Sequence, residues 1–515
     1  MRRIIGFLRV TTAVFVLALT VGSGTAFAGK KDDTLTIAFQ RGILDLDYTQ
    51  TTKREYIILS HLTDDRLFEV DPGTLKIVPA VASSYKFADD LTLDVTLRKD
   101  VKFHDGSKLT ADDVVYTYKY ALDADAHNKL SKKLGSWLAS VEKTGPYSVR
   151  FKLKVPYPLA LRDMAARIPL RKNGIYEEGG KYVKTAQSAK LTGTGPYKVV
   201  SFEPGKKVVL ERFDGYYKES PKGVPAIKTI VIRSIPDWGT QQAELMSGGI
   251  DWMYSVPTDM AENMAKTGRA IDLKGPSLRV GFIVLDAAGV TAKDGPLTKK
   301  AVRQALNHAI DRQAIVDNLV KGDSKVIYSA CHPAQFGCAQ DVRRYDFDPK
   351  KARKMIADAG YPNGFKLALW AYREKEVAEA IAADLTKVGV KVDLRYVKLG
   401  ALNKARKKGQ IPAYFGSWGS GGLADTAAIA NVHWRKGSDR NLSGDPELTK
   451  LMIGAEKTRD PEKRAELYEK GLKRIAEEAY WVPLYTFTLN YLVSKDLNFP
   501  VPRDGLPRLY KASWK

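Results

Sequence analysis

The sequence predicts an α/β protein of two or three domains. The chain has 515 residues, which is more than one hydrophobic core usually holds. The run "FKLALWAY" at 365–372, a helical pattern at 374–388 and the run "VKVDLRYVKL" at 390–399 follow one another as strand, helix and strand. Because a crossover helix joins parallel strands with right-handed geometry, this segment predicts an α/β domain of its own.

The amino terminus has the three-part layout of a secretory signal peptide. Three arginines accompany the start of an apolar segment at 10–21, which leads to Ala26-Phe27-Ala28 among small residues. This layout predicts export to the periplasm and cleavage after Ala28, so that 1–28 is the signal peptide. A retained membrane anchor is the alternative, but the apolar segment has only about half of the roughly 20 residues that a bilayer requires.

The first half of the mature chain alternates strand and helix patterns. Residues 34–39 alternate as a strand does, and residues 55–69 are predicted as a helix. After a hairpin, Thr110 and Asp113 have the spacing of a capping box and predict the start of another helix. A further strand is predicted at 228–235.

The second half continues this alternation. "LKGPSLRVGFIVLD" at 273–286 predicts a long strand, and the apolar stripe at 301–310 predicts a helix. Asp348 is placed to cap the next helix, and a last helix is predicted from Pro461 to about Tyr480. The run "WVPLYTFTLNYLVS" at 481–494 then returns as one extended stretch.

The formal net charge is +23, with 82 lysines and arginines against 59 acids. These charges are spread along the chain and no recognised nucleic-acid motif occurs, so we expect no nucleic-acid partner. The densest basic cluster lies at 391–408. Such a cluster is typical of a solvent-exposed face. The alternative is that its positive electrostatic field attracts an anionic ligand or a partner.

Two cysteines, Cys331 and Cys338, lie in "ACHPAQFGC". In an exported chain this spacing predicts a local disulfide, which contributes about 2 kcal/mol on the chain-entropy model. A zinc site would recruit His332, but Cys-His-Cys without a fourth nearby ligand is a poor zinc site.

The segment "GSWGSGGLADTA" at 416–427, which we call the glycine segment, raises the question of a nucleotide site. It contains a G-x-G-x-x-A pattern after a strand-like run at 411–415. A dinucleotide turn also needs a second strand that ends in an acid, and the apolar strand is missing here. Glycines at a strand end also allow a ligand to approach the backbone. Two alternatives remain: the segment forms the edge of a ligand-binding site, or it is an ordinary turn whose tryptophan packs in the core.

No catalytic motif is evident. The sequence has no G-x-S-x-G elbow and no H-E-x-x-H helix, and its six histidines are scattered. We therefore expect no enzyme activity, no cofactor and no metal site. The alternative from this class is a secreted hydrolase of peptides or cell-wall fragments, built from residues distant in sequence.

Five stretches of the sequence together resemble one protein family. They occur in the same order as in that family and cover most of the mature chain. They are "LTLDVTLRKDVKFHDGSKLTADDVVYTYKYAL", "GTGPYKVVSFEPGKKVVLERFDGYY", "MSGGIDWMYSVP", "AVRQALNHAIDRQAIVDNLVKG" and "YDFDPKKARKMIADAGYPNGFKL". The chain resembles the extracytoplasmic solute-binding proteins of family 5, the dipeptide, oligopeptide and nickel binding components of ABC importers. The resemblance implies a monomer that binds a small molecule or peptide and delivers it to inner-membrane ABC permease subunits.

The resemblance also implies a two-lobed periplasmic binding protein of the type II, cluster C-like kind, which closes about a hinge. Two crossing strands, "LRVGFIVLD" and "WVPLYTF", would join the lobes. The first lobe would comprise 29–275 and 486–515, with an extra subdomain at 72–194. The second lobe would comprise 276–485.

Peptide-binding members of the family carry an acid three positions after the tryptophan that corresponds to Trp418, and this acid pairs with the peptide's α-amino group. This chain has Gly421 there, while Asp425 fits the family's second acidic position. A buried ammonium without a partner costs several kcal/mol. The resemblance therefore implies transport, and Gly421 argues against ordinary peptides with free amino termini.

The predicted ligand contacts fall on strand ends and near the crossings. They are Trp418, Gly419, Ser420, Gly421, Asp425, Arg41, Trp370, Tyr372, Tyr254 and Tyr485. A nickel chelate on the same fold is the remaining alternative, and His433 near the glycine segment is its only supporting histidine.

Overall fold

The computed structural model describes residues 29–51, 53–126, 128–179, 181–183 and 192–515. The predicted signal peptide lies outside the described residues.

The strands of the described chain are β1 (Thr34–Phe39), β2 (Phe68–Val70), β3 (Ile77–Pro79), β4 (Ala82–Asp89), β5 (Thr92–Leu97), β6 (Leu138–Gly145), β7 (Ser148–Leu153), β8 (Glu177–Glu178), β9 (Lys181–Tyr182), β10 (Tyr197–Glu203), β11 (Lys207–Arg212), β12 (Thr229–Ser234), β13 (Trp252–Tyr254), β14 (Ala270–Leu285), β15 (Phe365–Ala371), β16 (Val390–Tyr396), β17 (Ala413–Trp418), β18 (Trp481–Ser494), β19 (Leu497–Asn498) and β20 (Ser513–Trp514).

The α-helices of the same residues are α1 (Arg54–Thr63), α2 (Ala111–Leu122), α3 (Ser131–Leu134), α4 (Ala160–Arg167), α5 (Trp238–Ser247), α6 (Thr258–Lys266), α7 (Lys300–Ala309), α8 (Arg312–Ile315), α9 (Pro349–Asp358), α10 (Lys375–Lys387), α11 (Leu399–Lys407), α12 (Ala427–His433), α13 (Pro446–Lys457) and α14 (Pro461–Glu477). Within the described ranges, no helix combines the length and the apolar character that a membrane crossing needs.

One ten-stranded sheet runs through the molecule in the order β10-β11-β12-β1-β13-β18-β14-β17-β15-β16. Its middle is formed by the two long antiparallel strands β14 and β18, which contact both halves of the sheet. Their pairing register shifts between Pro276 and Val280, and Leu278 has a φ of 50° there. The two long strands therefore join the two halves through an irregular segment at 277–279.

The parallel strand-helix-strand order predicted at 365–399 is confirmed, and the assignment of this segment to a domain of its own stays a prediction. Strands β15 and β16 are parallel, and α10 lies between them in the chain. Strand β17 pairs with β15, also in parallel. The alternating strand patterns therefore assemble into a mixed sheet with helices around it, as the predicted α/β class requires.

A separate four-stranded antiparallel sheet, in the order β4-β5-β7-β6, lies within the segment predicted as an extra subdomain. Helix α2 packs against it, and its capping box is formed because the Thr110 amide donates to Asp113 Oδ2 at 2.8 Å. The lobe and subdomain boundaries given above stay predictions.

One helix prediction is too long. The segment 55–69 contains α1, which ends at Thr63, and then β2. Asp64 leaves the helical conformation at the C-cap, and its buried carboxylate accepts a hydrogen bond from Arg171. This long-range ion pair, together with the pairing of β2 with β3, ends the helix early.

The extra sheet contacts the far half of the molecule. Trp137 and Met452 belong to one buried hydrophobic cluster. On the surface, Arg459 Nη1 donates to Asp90 Oδ1 at 2.8 Å, and its guanidinium lies 4.1 Å from the centre of the Phe87 ring. The contacts of Arg459 with Asp90 and Phe87 therefore join the two halves of the chain outside the crossing strands.

Candidate functional site

Two adjoining cavities, of about 390 Å³ and about 340 Å³, lie beside the irregular segment of β14. They share the lining residues Ser255, Ser277, Arg279, Arg373 and Leu489. We call this shared region the junction. Because β14 and β18 pass from one half of the sheet to the other here, the junction is lined from both halves.

The cavity walls carry four arginines and three glutamates. Arg279 comes from β14 and Arg373 follows β15, while Arg41 follows β1 and Arg54 opens α1. The acids on the walls are Glu55, Glu374 and Glu376. Of the residues that form the junction itself, two are arginines and none is an acid.

The two junction arginines converge on one hydroxyl. Arg279 Nη1 donates to Ser417 Oγ at 2.8 Å, and Arg373 Nη1 donates to the same oxygen. Arg373 also donates from Nε to Glu374 Oε1 at 2.7 Å, whereas Arg279 forms no ion pair with any described residue. Two like charges therefore meet at Ser417 with a single carboxylate beside them.

These surroundings change the affinity of both guanidiniums for protons. Burial, followed by repulsion from Arg373 and Arg54, lowers the pKa of Arg279 to about 10. Burial also acts to lower the pKa of Arg373, but the hydrogen bond and charge of Glu374 outweigh it and raise that pKa. Both groups remain cations at neutral pH, and Arg279 is the one that lacks compensation.

The glycine segment makes room for Arg279. Strand β17 extends through Trp418, so this tryptophan ends a strand and does not lie in the loop. A Cβ atom at Gly419 would lie 2.8 Å from Arg279 Nη2 and 2.9 Å from its Cζ. Heavy atoms do not approach this closely without displacement, so a side chain at 419 would push the guanidinium away from its present position.

The next residues form a 3-10 turn at Ser420–Gly422. Ser420 is buried, and its Oγ accepts a hydrogen bond from Gln335 Nε2 at 2.8 Å. Gly421 is exposed with a φ of 60°, and a Cβ there would meet nothing within 4 Å. The position where peptide-binding relatives are expected to carry an acid is thus open to solvent.

Two predicted contacts in this segment are engaged within the protein. Trp418 is half-buried, and its Nε1 donates to the carbonyl oxygen of Ala428 at 2.7 Å. Asp425 is 2% exposed, and its Oδ1 accepts from Arg464 Nη2 at 2.6 Å and from the amide of Ala427. The negative charge of Asp425 is therefore compensated by Arg464.

Of the other predicted contacts, two line the smaller cavity and three line neither cavity. Arg41 is exposed and Tyr254 is half-buried, and both line the smaller cavity. Trp370 and Tyr372 are half-buried, with the Arg395 guanidinium 5.3 Å from the Trp370 ring. Tyr485 is fully buried beside Phe487. The roles of these residues toward a ligand stay predictions.

Sequence reasoning missed the two arginines of the junction. Arg279 lies in the apolar run "LRVGFIVLD", and Arg373 directly follows the predicted strand that ends at Tyr372. An arginine inside an otherwise apolar strand was the available signal for Arg279. For Arg373 and Ser417 only the three-dimensional pairing reveals the site.

His433, the residue that favoured a nickel chelate, is enclosed by aromatic rings. Its imidazole meets Phe282, Trp418 and Trp481 edge to face at 4.8 to 5.5 Å. It is fully buried, and burial lowers its pKa well below the usual value. Among the described residues, no group of three or more His, Cys, Asp or Glu side chains is arranged to hold a metal ion.

The structure joins Cys331 and Cys338 by a disulfide with a Cα–Cα distance of 5.8 Å. The loop that it closes packs on the glycine segment, because the Phe336 amide donates to the carbonyl oxygen of Ala424 at 3.1 Å. Gln335 of the same loop reaches Ser420, as described above. The disulfide therefore supports the turn that follows β17.

A two-lobed fold whose halves are joined by two long strands, with a charged cavity between them, defines the class of extracytoplasmic solute-binding proteins. Residues 76–439 match the model of the bacterial extracellular solute-binding proteins, family 5 Middle. The chain belongs to this family.

Curated relatives and solved structures agree with this assignment. The chain is 28% identical over 448 residues to the glutathione-binding protein GsiB of Salmonella typhimurium, covering 84% of each chain. It is 28% identical over 454 residues to heme-binding protein A of Haemophilus influenzae, covering 82% of this chain and 81% of the relative.

Among solved structures, HbpA2 from Haemophilus parasuis superimposes with a TM-score of 0.83 at 24% identity, over 94% of this chain and all of the other. NikA from Brucella suis in complex with Fe(III)-EDTA gives a TM-score of 0.81 at 22% identity, over 94% of this chain and all of the other. These similarities show the fold. The relatives named here are binding proteins.

Proposed function

We propose that the protein is the solute-binding component of an ABC importer, which captures a peptide or peptide-like solute between its lobes and delivers it to an inner-membrane permease. The observation that carries this proposal is the cavity at the junction, where β14 and β18 pass between the halves of the sheet. A ligand at a hinge can contact both lobes at once, so its binding energy favours the closed arrangement.

The relatives bind peptides and other organic molecules, which supports the proposed class of solute. GsiB is named for glutathione and heme-binding protein A for heme, and the structure of an oligopeptide-binding relative from Bacillus subtilis holds a nonapeptide. The protein acts without chemical change to its solute, as a monomer. The signal peptide is removed after Ala28 to leave the mature protein in the periplasm, which intact-mass measurement of the exported protein checks.

A thermal-shift screen tests the proposal. A solute that binds only the folded protein stabilises it by about 2.7 kcal/mol at one hundred times its Kd, so a cognate solute raises Tm. The panel contains peptides, glutathione, opines, sugars, aromatic acids and nickel chelates. If no member raises Tm, the proposal is contradicted. Turnover of a bound peptide, measured by mass spectrometry of the mixture, would instead establish the hydrolase alternative.

A further inference from the structure

We infer that the junction binds an anionic group of the solute, a carboxylate or a phosphate, between the guanidiniums of Arg279 and Arg373. This inference rests on the proposed function and names the chemical class of the solute. The imported molecule is acidic, and the charge that it presents to the hinge is negative.

The first argument is the convergence of two cations. Both arginines donate to Ser417 Oγ, so their guanidiniums lie within two hydrogen bonds of each other. Like charges at this distance repel, and a single carboxylate, Glu374, pairs with only one of them. An anion that accepts hydrogen bonds from both guanidiniums would remove this repulsion.

The second argument is the chemistry of the remaining surface. Arg54 and Arg41 line the adjoining cavity, and Ser255 adds a hydroxyl group at the junction. Guanidinium forks match the geometry of carboxylate and phosphate oxygens and bind them with paired hydrogen bonds. Glu55 lines only this cavity and Glu376 only the larger one. The third wall acid, Glu374, is already paired with Arg373.

The third argument concerns the ammonium site of peptide-binding members. Gly421 offers no carboxylate, and the carboxylate of Asp425 already pairs with Arg464. Gly419 meanwhile leaves the space that the Arg279 guanidinium occupies. The same segment that lacks a free acid for an ammonium group therefore positions a cation for an anionic one.

Titration calorimetry on acid and ester pairs tests the inference. Reduced glutathione, an acidic N-acetylated dipeptide, an opine and a phosphonate analogue are each compared with the corresponding alkyl ester. We expect the free acids to bind and the esters to bind at least tenfold more weakly. Equal affinity for both forms, or binding of the esters alone, contradicts the anion site and leaves the proposed function intact. Binding of neither form in any pair contradicts both.

Variants then assign the binding to the named residues. Arg279→Gln is expected to reduce affinity for the acids at least tenfold, and Arg353→Gln, an exposed arginine on α9, is expected to leave it unchanged. Gly419→Ala keeps every charge but displaces Arg279, so it is expected to weaken acid binding several-fold. Circular dichroism confirms that each variant is folded. Unchanged affinity of both Arg279→Gln and Gly419→Ala overturns the assignment.

Discussion

A substitution at Asp425 distinguishes a structural role of this carboxylate from a role in binding the ligand. Its carboxylate lies 2.6 Å from Arg464 Nη2, with both side chains buried. Removal of one partner from a buried ion pair costs about 3–5 kcal/mol, because the other charge is left uncompensated. Arg464 keeps hydrogen bonds to Ala455 O and the Tyr468 hydroxyl, so we expect Asp425→Ala to cost about 3 kcal/mol, the lower end of that range.

Urea unfolding followed by tryptophan fluorescence measures this loss. With a slope of about 3 kcal/mol per molar, the midpoint of the affected transition falls by about 1 M. Asp358→Ala is the matched control, because Asp358 pairs with Lys354 on the surface of α9 and such pairs contribute about 0–1 kcal/mol. If Asp425→Ala unfolds like the wild type but loses its solute, the carboxylate acts on the ligand and the structural account is refuted.

Three further perturbations follow from the structure. Replacing Cys331 and Cys338 together by serine is expected to lower the free energy of unfolding by about 2 kcal/mol in the same urea assay, and an unchanged midpoint would refute the stabilising role of the disulfide. Burial raises the pKa of Glu456 to about 7, so the folded protein holds a proton that the unfolded chain releases above its ordinary value of 4.5, and stability from this group falls as pH rises through 4.5 to 7. Glu456→Gln should flatten the dependence of Tm on pH in that window, and an identical profile would contradict this. Arg459→Ala removes the contact with Asp90 and is expected to raise the solute Kd about two- to fivefold, because closure of the lobes is weakened. Calorimetry measures the Kd, and Tm should change little. An unchanged Kd would show that this contact does not favour the closed form.

Much of the fold could be predicted because its signals are local. The alternation of β15 and β16, the periodicity of α10 and the capping box at Thr110 each depend on residues close in sequence. Helix α1 ends earlier than predicted because the buried partner of Asp64 is Arg171, and no local pattern indicates such a pairing. The long strand β18 was predicted because apolar, aromatic and β-branched residues recur along its whole length.

The candidate site was only half accessible from the sequence. Its glycines marked the end of β17, because a cluster of glycines after a strand-like run is a local turn signal. The convergence of Arg279 and Ser417 depends on the pairing of β14 with β17 across 138 positions of sequence. Arg373 reaches the same hydroxyl from another strand end, so sequence reasoning could nominate the segment but not its charge.

Native mass spectrometry of the protein, purified with its solute from the bacterium that makes it, tests the central claim most directly. We predict a bound small molecule that carries at least one carboxylate or phosphate and that is absent from the Arg279→Gln variant purified in the same way. A bound solute that is neutral or cationic, or one that the Arg279→Gln variant retains in full, would contradict the account.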